Sequence, residues 1–330
     1  MTPLRTGRDN DGPGLIALLT ACWLEYPGCI VDVDGELPEL HALATYFADA
    51  GGALFVSEHD GRIVGSAGTR PMDDGTWELC KMYVDAGRRG TGLAQALIAA
   101  VETHARDHGA TTMRLWSDTR FTRAHRFYEN HSYVRSGPIK VWTDKSNSLE
   151  FAYAKPLAGV VVQRLDAAAA ESAIPRLAHV LRDCVDAGAS VSFLAPMALG
   201  RARAFWKQAA SAVAMGGRIL LGAWVDGELV GTVSVDLDMA QNQAHRGDLQ
   251  KLLVLPTVRR RGVARLLMRH AEAEALAAGR TLLVLDTNAG EAAEPLYRSG
   301  GWTEAGRIPR FSRRSDGTLA ATVVFWKDLS

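Results

Sequence analysis

The chain has 330 residues, 47% of them hydrophobic and 22% charged, with 37 basic residues against 37 acidic ones. That length holds two domains or one large one, and either buries a core without covalent staples. The zero formal net charge excludes a global basic field that would draw the chain onto nucleic acid or an anionic membrane, and no apolar run approaches the roughly 20 residues of a bilayer span.

In chain order, Met1 to Asn10 is polar and lacks the apolar centre of a secretory leader. A helix is predicted over Leu15–Tyr26, followed by the acidic turn Asp32-Val33-Asp34-Gly35-Glu36. A calcium loop would need a glutamate at its twelfth position, where Ala44 stands, so no metal is expected. Next come β-rich runs, Ala53–Glu58 and Arg62–Thr69, joined by His59-Asp60-Gly61. A strand ELCKMYV, a glycine-containing turn and a helical pattern on Leu93, Leu97, Ile98 and Val101 follow. A short strand (Met113–Trp116), a helix ending in Tyr128 and closing strands complete the first half. The second half repeats the order: a helix over Leu199–Ala214, then runs Ile219–Val225 and Leu229–Val235 joined by Asp226-Gly227. After these come the strand DLQKLLV, a helix on Val263, Leu266, Leu267 and His270, a strand Leu282–Leu285 and a helix carrying Tyr297. Asp-Gly between apolar runs predicts a hairpin, because both central residues of a type I′ turn need positive φ. Cys22, Cys29, Cys80 and Cys184 show no metal or redox spacing and are read as reduced thiols of a cytoplasmic protein.

The two halves are copies of each other. Lys81/Lys251, Arg89/Arg259, Gly92/Gly262 and Ala94/Ala264 all stand 170 residues apart. Leu115-Trp116-Ser117-Asp118-Thr119 parallels Leu283-Val284-Leu285-Asp286-Thr287, and each half closes on an apolar strand with a late lysine, Lys155 and Lys327. Domains of 1–157 and 158–330 are therefore expected, with the boundary near Pro156–Gly159.

The repeated R-x-x-G-x-A lies between an apolar strand and an amphipathic helix. A helix amino end offers unpaired N–H groups and partial positive charge, which suits a pyrophosphate. Gly92 and Gly262 let the backbone approach the anion, Ala94 and Ala264 limit bulk, and Arg88, Arg89 and Arg259–Arg261 supply charge. With Gly90, Thr91 and Leu93 in the first half and Arg260, Arg261 and Val263 in the second, these residues form two candidate cradles. The alternative is a helix start behind a solvated basic loop.

These motifs resemble the GNAT acetyltransferase superfamily, whose Q/R-x-x-G-x-G/A signature is matched by Arg89/Gly92/Ala94 and Arg259/Gly262/Ala264. The resemblance covers essentially the whole chain, twice. It implies an α/β (α+β) fold of two tandem GNAT domains, each with a mixed, mostly antiparallel sheet whose fourth and fifth strands splay apart. It implies acetyl-CoA as cofactor, with the pantetheine arm along the backbone of Met82, Tyr83 and Val84 and of Leu252, Leu253 and Val254. Residues 244–329 further resemble the tabtoxin-resistance type, through HRGDLQKLLV, LLVLDT and the tyrosine eleven residues after the aspartate.

Acetyl transfer to an amine needs one proton removed and one delivered to the departing thiolate. Tyr128 and Tyr297 stand where GNAT enzymes often carry that donor, and each could instead be a packing tyrosine. Glu78 and Asp248 match the strand carboxylate some of these enzymes use as base, or are exposed strand acids. Asp118 and Asp286 could orient an acceptor amine or cap the next segment. Lys81 and Lys251 are read as ion-pair partners of strand carboxylates. Asp32, Asp34 and Glu36 could attract a cationic acceptor in the first half, where the second has the apolar Val191–Pro196. The first half also departs from the family in having Ser132-Tyr133 where the second has Gly301-Trp302. The expected protein is a small-molecule amine acetyltransferase, a monomeric intrachain pseudo-dimer or a homodimer, with the C-terminal half the catalyst. A regulatory or scaffolding acyl-CoA binder is the alternative.

Overall fold

The computed structural model describes residues 3–330. Its contacts divide the chain into two compact units, one comprising the chain up to Tyr128 with Arg135–Ala158, the other Glu129–Val134 with Gly159–Ser330.

The first unit contains β1 (Leu4–Thr6), α1 (Gly12–Trp23), α2 (Val33–Glu36), α3 (Leu43–Asp49), β2 (Ala53–His59), β3 (Arg62–Pro71) and β4 (Thr76–Val84). It continues through α4 (Leu93–Asp107), β5 (Thr112–Asp118), most of α5 (Thr122–Asn130), the Arg135 end of β6 (Val134–Arg135), β7 (Lys140–Val141) and β8 (Leu149–Pro156). The sheet runs β1-β2-β3-β4-β5-β8-β6, with β7 on β8. The second unit contains β9 (Val160–Arg164), α6 (Ala167–Asp186), α7 (Leu199–Ala214), β10 (Arg218–Val225), β11 (Glu228–Asp236) and β12 (Arg246–Val254). After these come α8 (Val263–Ala277), β13 (Leu282–Asn288), α9 (Ala293–Ser299), β14 (Thr303–Arg313) and β15 (Leu319–Asp328). Its sheet runs β14-β15-β13-β12-β11-β10-β9. Each unit is thus an α/β domain in which one parallel strand pair interrupts an antiparallel sheet.

The hairpins form as their turn chemistry requires. Asp60 and Gly61 have φ of 48° and 70°, and Asp226 and Gly227 of 50° and 92°, all left-handed. The acidic turn of the first half is the short helix α2, capped by the Asp32 side chain accepting from Gly35 N–H. Its charge is partly taken up, because Lys145 Nζ lies 2.5 Å from Asp32 and Lys145 N–H donates to Glu36. Ser132 takes φ of 69°, close to the 81° of Gly301, so the turn after α5 keeps its left-handed form without glycine.

In the second unit one apolar cluster lies under α6 and α7, with Trp206 and Trp224 wholly buried, and another under α8 and α9. A buried side chain of this size contributes about 1.5–3 kcal/mol. Alternation along β13 sends Leu283 and Leu285 to the α8 side, so Val284 and Asp286 face the α6–α7 side.

Both closing-strand lysines bind a glutamate of the helix that follows the cradle. Lys155 Nζ meets Glu102 at 2.8 Å with both groups buried, and Lys327 Nζ meets Glu272 at the same distance with both partly exposed.

Candidate active site

The fourth and fifth strands of each unit pair briefly and then part. In the first unit the parallel register covers only Thr76–Glu78 against Thr112–Arg114, and in the second only Arg246–Asp248 against Leu282–Val284. Glu78 and Asp248 therefore stand at the fork, and beyond them the backbone of Met82–Val84 and Leu252–Val254 borders the opened gap.

Each fourth strand also carries a bulge just past the fork. The register slips between Ser66 and Gly68 and again between Thr232 and Ser234, leaving Lys81 and Lys251 in the left-handed region at φ of 52° and 54°. A left-handed non-glycine residue costs about 1–3 kcal/mol, and the chain accepts it twice at matched positions. In both units a serine of the neighbouring strand donates to the bulge carbonyl, Ser66 to Lys81 at 2.9 Å and Ser234 to Gln250 at 3.3 Å.

Past the fourth strand the chain turns through a single 3-10 turn and enters α4 or α8. The helix-capping residues Gly92 and Gly262 have φ of 89° and 83°, and a Cβ at either would point into open space. The first bond at each helix start is Ala96 N–H to Gly92 C=O or Leu266 N–H to Gly262 C=O. The amides of Leu93 and Ala94, and of Val263 and Ala264, consequently project from the helix end. Outward N–H groups with open space beside the glycines suit a pyrophosphate, so the residues present are compatible with a CoA-type cofactor.

The arginine beside each cradle is anchored in the same way. Arg89 Nε donates to Val84 C=O at 3.2 Å, with Cys22 Sγ 3.9 Å from its terminal nitrogen. Arg259 Nε donates to Val254 C=O at 3.3 Å and its guanidinium meets Cys184. Cys22 and Cys184, which sequence spacing left unrelated, are equivalent residues. Three residues beyond each cysteine the units differ. Glu25 grips Arg89 through two bonds of 2.5 and 2.7 Å, and this guanidinium holds its carboxyl below the usual range. Ala187 stands in the matching place, and Arg259 has no carboxylate among the described residues.

The candidate catalytic groups divide likewise. Glu78 is bound by Arg70 at 2.7 Å, and Asp248 is bound by Arg246. Asp118 is buried and ligated by the Arg120 guanidinium and backbone N–H. Burial pushes its carboxyl up, and the Arg120 contacts more than reverse this. Its Oδ1 thereby accepts from the backbone at the start of the next segment, at 2.8 Å from Arg120 N. Asn288 replaces Arg120 in the second unit, and the exposed Asp286 receives a side-chain hydrogen bond from Thr322 at 2.9 Å and no ion pair from a cation among the described residues. Tyr128 is buried near Tyr153. Tyr297 packs on Trp302 and Phe325, and its hydroxyl makes no hydrogen bond among the described residues. Burial and the nearby Asp286 charge push its phenol well above the ordinary range, which keeps it a proton donor.

The expectation for the recurrent lysines needs correction. Lys81 pairs at 2.8 Å with Glu39, a residue of the segment before α3 rather than a strand acid. Lys251 pairs with no carboxylate among the described residues. Its ammonium lies 5.8 and 5.4 Å from the Phe193 and Phe205 ring centres, with Ser192 Oγ at 3.4 Å. Local spacing carries no signal for either outcome, because the decisive neighbours are far away in sequence.

The acetyltransferase (GNAT) family model matches the chain twice, over residues 15–133 and 192–302. The chain belongs to the GNAT acetyltransferase family.

The family match in each half establishes the tandem duplication and makes the protein an acyltransferase. An uncharacterized N-acetyltransferase of Mycobacterium bovis is 39% identical over 105 residues, 32% of this chain and 67% of that protein. Human N-acetyltransferase 8 is 28% identical over 130 residues, 38% of this chain, and is matched over 56% of its own length. Among solved structures, yncA of Salmonella typhimurium, determined with its cofactor acetyl-CoA, has a TM-score of 0.45 at 16% identity over 52% of this chain and 95% of that one. The finer resemblance to tabtoxin-resistance enzymes is not shown by these matches. No helix of the described residues is long and apolar enough to cross a membrane, and none of their acidic, histidine and cysteine residues form a metal-holding group.

Proposed function

We propose that this GNAT protein is an acetyl-CoA-dependent N-acetyltransferase acting on the primary amine of a small molecule, with the domain of residues 158–330 as the catalyst and that of 1–157 in a supporting role. Four free thiols are in keeping with work in the cytoplasm. The observation that carries the assignment is charge pairing: Arg259 and Asp286 lack ionic partners among the described residues, whereas Glu25 and Arg120 neutralise their counterparts Arg89 and Asp118.

The cradle of Arg259–Ala264 would hold the cofactor's pyrophosphate, and the backbone of Leu252–Val254 its pantetheine arm. When bound, acetyl-CoA supplies an activated thioester, so that amine attack forms an amide and breaks the carbon–sulfur bond. Asp286, exposed on the α6–α7 side of the sheet, draws the acceptor ammonium to the fork and accepts hydrogen bonds from it. Asp248 lies at the same fork and, held by Arg246, is the second carboxylate available to pass the amine proton outward. Tyr297 delivers a proton to the leaving sulfur from a hydroxyl that no acceptor among the described residues engages.

Thiol release measured on the full chain with acetyl-CoA and a panel of small primary amines tests the reading. Activity with at least one amine is expected, and Tyr297→Phe should lower kcat about 10–100-fold with little change in the amine KM. No thiol release with any amine would overturn it in favour of an acyl-CoA binder without turnover.

A further inference from the structure

Lys251 and Asp286 are a charged pair of a particular kind. They stand on the two strands that part at the fork of the second unit, on the same side of the sheet. Lys251 meets Phe193 and Phe205, which pack with the α6–α7 cluster, and strand alternation turns Asp286 to that side. Lys251 lies three residues and Asp286 two residues past the last paired rung, Asp248 with Val284, and no ion pair joins them. Of the cations near Lys251, Arg218 is held by Asp236 at 2.8 Å, and Arg201 shares the Phe193 ring at 5.4 Å without a carboxylate partner among the described residues. A half-buried ammonium with only a hydroxyl at 3.4 Å and two ring faces is under-served. Burial and the Arg218 charge push it below the ordinary lysine range, against the pull of Asp286, and a carboxylate brought beside it would relieve that cost.

The first unit shows the same two positions in the opposite condition. Lys81 is neutralised by Glu39, and Asp118 by Arg120. Both positions are closed within the chain there, and both are left open in the second unit.

We infer that the acceptor of the second unit is a free α-amino acid, its ammonium met by Asp286 and its carboxylate by Lys251, with Phe193 and Phe205 walling the carboxylate side. An acceptor with opposite charges on adjacent groups completes both positions at once, where a simple amine would leave Lys251 unpaired. The inference rests on the acetyltransferase reading of this unit. Lys251 is assigned as a specificity-determining residue, and it takes no part in proton transfer.

Calorimetric titration of the full chain, in saturating CoA, with the standard L-α-amino acids and their α-amides tests it, alongside thiol release with the same compounds. At least one amino acid should bind about tenfold or more tightly than its amide, the gain of one charge-assisted contact. Lys251→Met should abolish that preference while leaving the amide unchanged, and Lys251→Arg should restore it. Equal binding of acid and amide by the wild type would overturn the inference, as would equal loss of both in Lys251→Met. Acetyl-CoA binding and transfer to simple amines, with no amino acid bound, would overturn it and leave the acetyltransferase reading standing. Carboxylate-dependent amino acid binding without thiol release would overturn both the inferred acceptor role and the acetyltransferase reading, leaving an amino acid-binding site without transfer.

Discussion

The two units share their backbone machinery and differ in where their charges are spent. Fork, bulge, left-handed glycine and arginine anchor recur at matched positions. In the first unit Arg89, Lys81 and Asp118 each have an opposite charge within 2.8 Å, whereas Arg259, Lys251 and Asp286 have none among the described residues. A duplicated scaffold can thus keep its geometry while a few distant substitutions decide which copy presents charge to a ligand. The contrast between Glu25 and Ala187, and between Arg120 and Asn288, carries most of that difference.

The sharpest way to probe the contrast begins with a feature both units retain. Lys155→Met removes a buried ammonium from Glu102, which keeps Arg106 at 3.0 Å, and should destabilise the first unit by about 1.5–3 kcal/mol. Lys327→Met leaves a partly hydrated Glu272 and should cost only about 1 kcal/mol. Hydrogen exchange resolved along α4, β8, α8 and β15 reads each unit separately, and equal losses would mean the two pairs are equally deep in solution.

Next in size is the cradle. Arg259→Glu combined with Gly262→Glu removes a guanidinium, adds two charges of the wrong sign and places a side chain at a left-handed position. The kcat/KM for acetyl-CoA should fall by about 100-fold or more, since each charge-assisted contact is worth about 1.5–3 kcal/mol. The matching pair Arg89→Glu with Gly92→Glu should change it by less than about threefold, because Glu25 already occupies that arginine. If the first-unit pair is the damaging one, the assignment of catalyst is reversed.

The smallest effect isolates one residue. Ala187→Glu installs the first unit's clasp in the second and should weaken acetyl-CoA binding there about three- to tenfold, as expected of a partly exposed ion pair competing with a phosphate. Glu25→Ala should strengthen binding to the first unit by a similar factor. Calorimetry counting CoA sites per chain checks both, and no change in either variant would remove the clasp as the cause of the difference.

What the sequence alone determined are the features written in local pattern. The Asp-Gly hairpins, the alternating strands, the glycine-led helix starts and the tandem copy follow from turn chemistry and periodicity over a few residues, and every one is present. The two fourth-strand lysines and the two fifth-strand aspartates also look alike in sequence, and there the likeness ends. Their environments were decided by tertiary structure: Glu25 lies 64 residues from Arg89, and Ser192 lies 59 residues from Lys251. Backbone conformation is set by neighbours along the chain, so it repeats with the motif. The charge of a site is set by whichever side chains folding brings within a few ångströms, and a motif carries no record of those.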